Sequence, residues 1–311
     1  MFVTRNHTRL AAAASAMILT GAAQAAITDG LVAYYPLDGN AQELVNGFHG
    51  TPNGTSFIDG KVGGAASFTK SEAQYIDAVN ANLFGLDYSN PPSIKDHGPT
   101  EYSYSVWFKP TASTGAGDRY ILATRLAGAT EKNNEGFTFS ARLNNDGTAL
   151  NVYAQFAVPE HITATASTSV GFIGRTGIEL PTPTSDGWYH LVVTMKTGDG
   201  LYVYLNGAEV PLPPAPGGVG YSVANGSGFQ VDIDSPLIAS DALRIGVSQN
   251  PASPRYFDGL IDEVAVWDRV LTADEIAFLY NNGAGNALPI PEPMSLALMG
   301  AGSLLLMRRR R

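Results

Sequence analysis

Tyr102-Ser103-Tyr104-Ser105-Val106-Trp107-Phe108 alternates small polar with large apolar side chains until Pro110 ends the run. A two-residue period sends successive side chains to opposite faces of a strand. One face is therefore read as core and the other as wet or ligand-facing. The same period returns in Phe137–Ala141 and Leu150–Phe156, while Trp188–Met195 is apolar almost throughout, as in a central strand. Leu201-Tyr202-Val203-Tyr204-Leu205 runs into Asn206-Gly207, a hairpin signal.

One segment reads as helix. Thr272 can cap it, Glu275 stands at the capping-box spacing, Ile276, Leu279 and Tyr280 form an apolar stripe, and Asn282-Gly283 supplies a stop. At about nine residues this helix is too short to stand alone, so it must lie against a sheet. Many strands, glycine- and proline-rich connections and one late helix predict an all-β, two-sheet antiparallel sandwich with one short C-terminal helix. The segments 78–100, 158–186 and 211–242 read as long loops, and no fixed-period repeat is present.

The chain has 311 residues, a formal net charge of -9 and no cysteine. Roughly 260 residues between its two end segments suffice for one sizeable β domain without disulfides. The N-terminal end has Arg5 and Arg9, the apolar stretch Leu10–Ala23 and the small-residue site Ala23-Gln24-Ala25. This predicts a Sec signal peptide over 1–25, cleaved after Ala25. At the other end Pro291-Glu292-Pro293 precedes the apolar run Met294–Met307 and four arginines, Arg308–Arg311. That run is about 14 residues, short of the ~20 that span a bilayer comfortably, and the arginines favour the cytoplasmic face. Loss of both ends removes six positive charges and Glu292, leaving about -14, a surface that repels nucleic acid.

The C-terminal pattern resembles the PEP-CTERM sorting signal, with Ile290 where that family usually has Val. The resemblance implies recognition and cleavage by an exosortase-type membrane protease. It also implies transient membrane association through the tail, by a short transmembrane helix, and a cell-surface, outer-membrane-associated or extracellular location in a Gram-negative bacterium. The expected plan is a signal peptide at 1–25, a domain at 26–282, a linker at 283–288 and the sorting signal at 289–311.

Within the domain, a series of phrases occurs in a telling order: Gly30-Leu-Val-Ala-Tyr-Tyr-Pro-Leu-Asp38-Gly39-Asn40, Gly60-Lys-Val-Gly-Gly-Ala-Ala-Ser-Phe68, Ser105-Val-Trp-Phe-Lys-Pro110, Trp188-Tyr-His-Leu-Val-Val-Thr194, Leu201–Gly207, Leu243-Arg-Ile-Gly246, Phe257-Asp-Gly-Leu-Ile-Asp262-Glu263-Val-Ala-Val-Trp267 and Leu271-Thr-Ala-Asp-Glu-Ile276. Together they resemble the LamG-like, concanavalin A-type (lectin/glucanase) jellyroll family. The resemblance implies a curved sandwich with adjacent terminal strands, often holding structural Ca2+ and often binding glycans or proteins. Carried onto this sequence, the calcium ligands are Asp38 and Asp262 and, more loosely, Asn40. An Asx-turn at Asp38 and carboxylates bonded to loop backbone are the competing reading.

Catalytic signals are thin. Asp262 and Glu263 are adjacent in a predicted strand and so are expected on opposite faces. Glycoside hydrolysis needs two carboxylates flanking the sugar bond; the jellyroll glucanases use Glu-x-Asp-x-x-Glu, and the nearest run here, Asp232-Ile233-Asp234, lacks the glutamates. His190 reads as a packed sheet residue, and His49, His97 and His161 are scattered. There is no His-Glu-x-x-His, no Gly-x-Ser-x-Gly elbow, and Gly60–Gly64 lacks phosphate-loop spacing.

Tyr102 with Tyr104, and Tyr202 with Tyr204, should each share a sheet face and build core, with Trp107, Trp188 and Trp267 assigned to packing. Tyr88, Tyr221, Phe229 and Tyr256, in or beside long loops, are the candidates for a ligand-binding rim. The expected function is a secreted, non-catalytic, calcium-stabilised and hence metal-binding module for extracellular polysaccharide. The alternatives are a structural or protein-interaction component of the extracellular matrix, meeting a matrix or surface protein, and a jellyroll glycoside hydrolase.

Overall fold

The computed structural model describes residues 27–78, 83, 101–111, 118–125, 138–157, 170–196, 200–211, 242–248 and 254–290. Gly30–Ala287 forms one unit, and Met1–Asp29 groups with Leu288–Arg311 in another. The sandwich lies wholly in the first. Its strands are β1 (Leu31–Tyr35), β2 (Thr51–Asn53), β3 (Ser56–Asp59), β4 (Gly64–Phe68), β5 (Tyr75–Ala78), β6 (Glu101–Pro110), β7 (Arg119–Arg125) and β8 (Thr138–Leu143). Then come β9 (Ala149–Ala157), β10 (Val170–Glu179), β11 (Tyr189–Lys196), β12 (Gly200–Leu205), β13 (Ala208–Glu209), β14 (Ala242–Ile245) and β15 (Gly259–Trp267), with helix α1 at Ala273–Tyr280.

The first sheet runs β13-β12-β11-β6-β15-β4-β3, with β1 also paired to β15; the second runs β10-β9-β8-β7-β14-β5-β2, and every pairing is antiparallel. The predicted two-sheet sandwich with one short C-terminal helix is therefore what the chain adopts, with its first and last strands side by side.

Strand β6 shows how the alternating phrase is used. Tyr102, Tyr104, Val106 and Phe108 enter the core between the sheets, beside Leu191, Val193 and Met195 of β11. The other face is not wet. Ser103 and Ser105 are also buried, because the segment after β15 crosses over them. Ser103 Oγ donates to the Arg269 carbonyl at 2.7 Å and accepts from the Leu271 amide at 3.0 Å. Small hydroxyls are needed where a second backbone lies this close to the strand.

That crossing segment delivers α1 to the outer face of the first sheet. Thr272 and Glu275 form the predicted capping box, and Glu275 also takes two hydrogen bonds from Arg269. Ile276 and Leu279 are buried, each worth about 1.5–3 kcal/mol of apolar transfer, which offsets the helix's short length. Asn281, with φ 43°, ends it. Nearby, Trp107, Trp188 and Ala65 make a second small core with Leu260 and Tyr280 packed against it. Trp267 is buried as well, so all three tryptophans are packed, as expected. The hairpin forms at Asn206-Gly207, both with positive φ, and a Cβ on Gly207 would press Cδ1 of Tyr280 at 2.6 Å.

Three expectations are corrected here. Tyr202 and Tyr204 are half-buried and belong to the outer face, since Leu201, Val203 and Leu205 take the core side. The stretch 158–186 contains β10; Gly171, Gly174 and Gly177 interrupt its apolar pattern and hide the strand. Finally, among the described residues no helix is long and apolar enough to cross a membrane. The expected transmembrane helix is not found; its source, 294–307, lies outside the described residues, as do Ala25, Pro291, Glu292 and Pro293.

Candidate functional site: a carboxylate seam and an aromatic platform

Two places in the sandwich gather the residues singled out by sequence. The first is a seam on β15. Its Gly259–Ile261 end pairs with β4 and its Val264–Trp267 end pairs with β1. Asp262 and Glu263 sit where the partner changes. Ile261 and Val264 both point into the core, so two residues occupy a space that strict alternation allots to one. This is a β-bulge, also visible as a register shift against β6 between Asp262 and Ala265. Glu263 adopts φ 51° to make it. The two carboxylates therefore do not take opposite faces as expected; both turn away from the main core.

Each carboxylate has a structural task. Asp262 is fully buried, and its Oδ2 accepts the amides of Lys61 at 2.8 Å and Val62 at 3.0 Å. Its Oδ1 accepts the Glu263 amide at 2.8 Å. Asp38 approaches the same turn from the other side and accepts the Gly64 amide. A Cβ on Gly60 would meet Asp262 Oδ2 at 2.7 Å. The glycine-rich stretch 60–64 is thus a turn gripped by two acidic side chains. Burial pushes Asp262 up to about 7, against the pull of its three amide donors. Burial also pushes Glu263 up to about 9, helped by the neighbouring charge of Asp262.

The prediction that Asp38 and Asp262 converge is met, but the expected metal-binding site is not. Asp38 and Asp262 are committed to backbone amides, and Asn40 holds an Asx-turn by accepting the Gln42 amide at 2.8 Å. Among the described residues no group of three or more His, Cys, Asp or Glu side chains is placed to hold a metal ion.

A carboxylate that sequence reasoning missed organises the opening loop. Glu43 is 2 % exposed and accepts the amides of Tyr34, Val45, Asn46 and Phe48 at 2.7–3.2 Å. No periodicity or motif marks it, because three of its four partners come from a loop.

His190 is packed, as expected. It stacks on Trp107 with centroids 4.7 Å apart and on Tyr280 at 6.1 Å, and its Nε2 lies 2.9 Å from Ser105 Oγ. Burial holds its pKa down at about 3, so the ring is neutral at physiological pH. The Ser105–His190 pair is buried, enclosed between a sheet and a helix.

The second place is the outer face of the second sheet. On β5, Ile76 and Ala78 enter the core while Tyr75 and Asp77 face out. Tyr75 and Tyr256 are half-buried, with ring centroids 6.1 Å apart and planes tilted by 37°. Tyr256 is fixed by a bridge to Val247. The Arg244 guanidinium lies over the Tyr75 ring at 5.7 Å and is held by Asp77 at 3.1 Å. Of the four rim candidates Tyr256 is thus part of an aromatic pair; Tyr88, Tyr221 and Phe229 lie outside the described residues, as do Asp232 and Asp234. Tyr75, not among the candidates, is its partner.

A family profile described as the Concanavalin A-like lectin/glucanases superfamily matches residues 83–277. The chain belongs to this superfamily. Neuronal pentraxin-2 from Cavia porcellus is 29% identical over 121 residues, which cover 36% of this chain and 25% of the pentraxin. The match thus spans about a quarter of the length of that curated relative. Among solved structures, the binding domain of Paraclostridial Mosquitocidal Protein 1 aligns with a TM-score of 0.51 and 12% identity, covering 83% of this chain and 53% of that one. Domain 4 of AbnA, a GH43 extracellular arabinanase from Geobacillus stearothermophilus in complex with arabinotriose, aligns with a TM-score of 0.45 and 19% identity over 82% of this chain and 98% of the domain. The likeness to the mosquitocidal protein's binding domain shows a shared fold, and nothing finer.

Proposed function

We propose that the chain is a secreted, non-catalytic binding module whose ligand is an extracellular polysaccharide. The observation that carries the reading is the Tyr75–Tyr256 pair, two half-buried rings side by side on a sheet face and braced by Arg244 and Asp77. Such rings offer flat apolar area with little side-chain entropy to lose, which suits the apolar faces of sugar rings. The superfamily's description spans lectins and glucanases. A lectin-like role is favoured because Asp262 and Glu263, 0 % and 5 % exposed, are enclosed by their own backbone and Tyr34. Hydrolysis needs carboxylates that reach the glycosidic oxygen.

The test is affinity electrophoresis of the full chain through gels cast with soluble polysaccharides, beside Tyr75→Ala and Tyr256→Ala. Retardation by at least one polysaccharide, reduced about tenfold in affinity by either substitution, is the expected result. Self-association without glycan retardation supports a matrix role instead. Steady release of reducing sugar would support a hydrolase.

The end segments belong to the same proposal. The reading is an N-terminal export signal followed by a domain at 26–282 and a C-terminal tail cut by an exosortase-type protease near Pro291-Glu292-Pro293, with the product at the cell surface or outside the cell. Mass spectrometry of the protein recovered from its native host should find no peptide from 294–311; recovery of that peptide on the surface form rules out cleavage.

A further inference from the structure

We infer that Asp77 sets the choice of sugar, accepting two neighbouring hydroxyls of a neutral residue and turning acidic ones away; this rests on the glycan-binding reading above. Tyr75 and Asp77 are two residues apart on β5, with Ile76 between them in the core. They therefore stand about 6.6 Å apart along the outer face of the strand. The Arg244 guanidinium joins them, lying over the Tyr75 ring at 5.7 Å and meeting Asp77 Oδ2 at 3.1 Å. The carboxylate is thus held at the margin of the Tyr75–Tyr256 pair. Thr51 stands directly opposite Asp77 on β2, the last strand in the order of this sheet, and is exposed.

The polar groups beside the rings are not equally available to a ligand. Arg244 commits all three nitrogens to the protein: Nε donates to Asp77 Oδ1 at 3.4 Å, Nη2 to Asp77 Oδ2 at 3.1 Å and Nη1 to the Ser248 carbonyl at 3.4 Å. Arg255, next in the chain to Tyr256, is ion-paired with Asp118 at 2.7 Å. Asp77 differs. A carboxylate paired with arginine has about four acceptor positions, and Arg244 fills one on each oxygen. Among the described residues no other group bonds to that side chain, which is 15% exposed. One acceptor position on each oxygen is left for a ligand, in an orientation that Arg244 fixes.

Two hydroxyls on adjacent carbons of a pyranose can donate one to each carboxylate oxygen while the apolar face of the ring covers the tyrosines. Hydrogen bonds to a charged acceptor are about twice as strong as those between neutral groups, so this contact discriminates. A carboxylate or sulfate on the sugar would instead face the like charge of Asp77, in a protein whose net charge is -9. A neutral polysaccharide with a free vicinal diol satisfies both conditions.

The experiment is isothermal titration of the full chain with neutral gluco-, manno- and galacto-oligosaccharides, each beside its monodeoxy forms and its counterpart oxidised to a uronate at C6. The wild type, Asp77→Asn and Tyr75→Ala are compared. At least one neutral form should bind, its uronate counterpart more weakly, and Asp77→Asn should weaken the neutral form about tenfold. Removing either of two adjacent hydroxyls should cost the wild type a similar factor and the variant little, because their acceptor is already lost. Should Asp77→Asn fail to fold, the deoxy and uronate comparisons on the wild type decide alone. Neutral binding undiminished in Asp77→Asn, a uronate form that binds the wild type more tightly, or no adjacent pair of hydroxyls that matters overturns the inference; binding that Tyr75→Ala still weakens then leaves the glycan-binding reading intact. No binding to any member overturns both.

Discussion

Tyr34 Oη lies 3.0 Å from Oε1 and 2.8 Å from Oε2 of Glu263. The phenol's single proton is shared between those two oxygens, a contact that by itself favours the ionised carboxylate. Burial and the charge of Asp262 outweigh it and push Glu263 up to about 9. Tyr34 belongs to the first strand and Glu263 to the last, so the pair closes the seam between the chain's two ends.

The first prediction concerns alkaline stability. Glu263 has a folded pKa of about 9 against an ordinary value of 4.5, so the folded chain keeps a proton that the unfolded chain releases. Its stabilising contribution is complete below pH 4.5 and is lost as the pH rises through 9. Asp262 behaves in the same sense between 3.8 and 7. From pH 7 to 9 Glu263 dominates, and the melting temperature should fall by about 5 °C or more. Glu263→Gln should flatten that limb and melt above the wild type at pH 8.5. An equally steep limb in the variant would show that Glu263 is ionised in the fold.

His190 supplies an opposite dependence on the acid side. Its folded pKa of about 3 lies below the ordinary 6.5, so the unfolded chain takes up a proton first. The contribution is present above pH 6.5 and is lost as pH falls toward 3. Relative to the wild type, His190→Gln should gain about 1.4 kcal/mol per pH unit between pH 6 and 4.5. Urea titrations at three pH values measure this; a pH-independent difference would mean that the ring protonates inside the fold.

Much of the sandwich was legible because its signals are local. The alternation in Tyr102–Phe108, the Asn206-Gly207 turn and the Thr272/Glu275 spacing each produced the expected element. The seam was half legible: Asp38 and Asp262 were expected to meet, and they do. Of the two roles the sequence left open, calcium ligation and hydrogen bonding to loop backbone, the second is found; the facing of the two carboxylates was not legible, because it depends on the bulge at Glu263, a backbone choice that leaves no residue-type mark. Ser103 likewise reads as solvent-facing until a remote segment covers it. The platform was legible only at Tyr256; Tyr75 lies on a four-residue strand whose exposed face sequence alone does not distinguish from its buried one.

Helix α1 offers a third prediction. Thr272 Oγ1 accepts the Glu275 amide at 3.3 Å, and Glu275 accepts the Thr272 amide at 2.8 Å. Thr272→Ala should cost about 1 kcal/mol. The loss should be uniform between pH 6 and 9, unlike that of the seam variants. A cost near zero by chemical denaturation would show that sheet contacts alone hold the helix.

The grip on the glycine turn gives the last prediction. Asp262→Ala leaves the Lys61, Val62 and Glu263 amides without their acceptor in a site where Asp262 is fully buried. Each unsatisfied buried donor costs about 1–3 kcal/mol, partly returned because a carboxyl raised to about 7 no longer has to be kept from water. A net loss of about 3 kcal/mol is expected. Gly60→Ala attacks the same turn from the other side, since its Cβ would crowd Asp262 Oδ2 and the Gly64 backbone. Because both variants break one arrangement, their costs should overlap: the double variant should be destabilised by clearly less than the sum of the singles. Full additivity in urea denaturation would mean that the turn and the carboxylate are energetically separate.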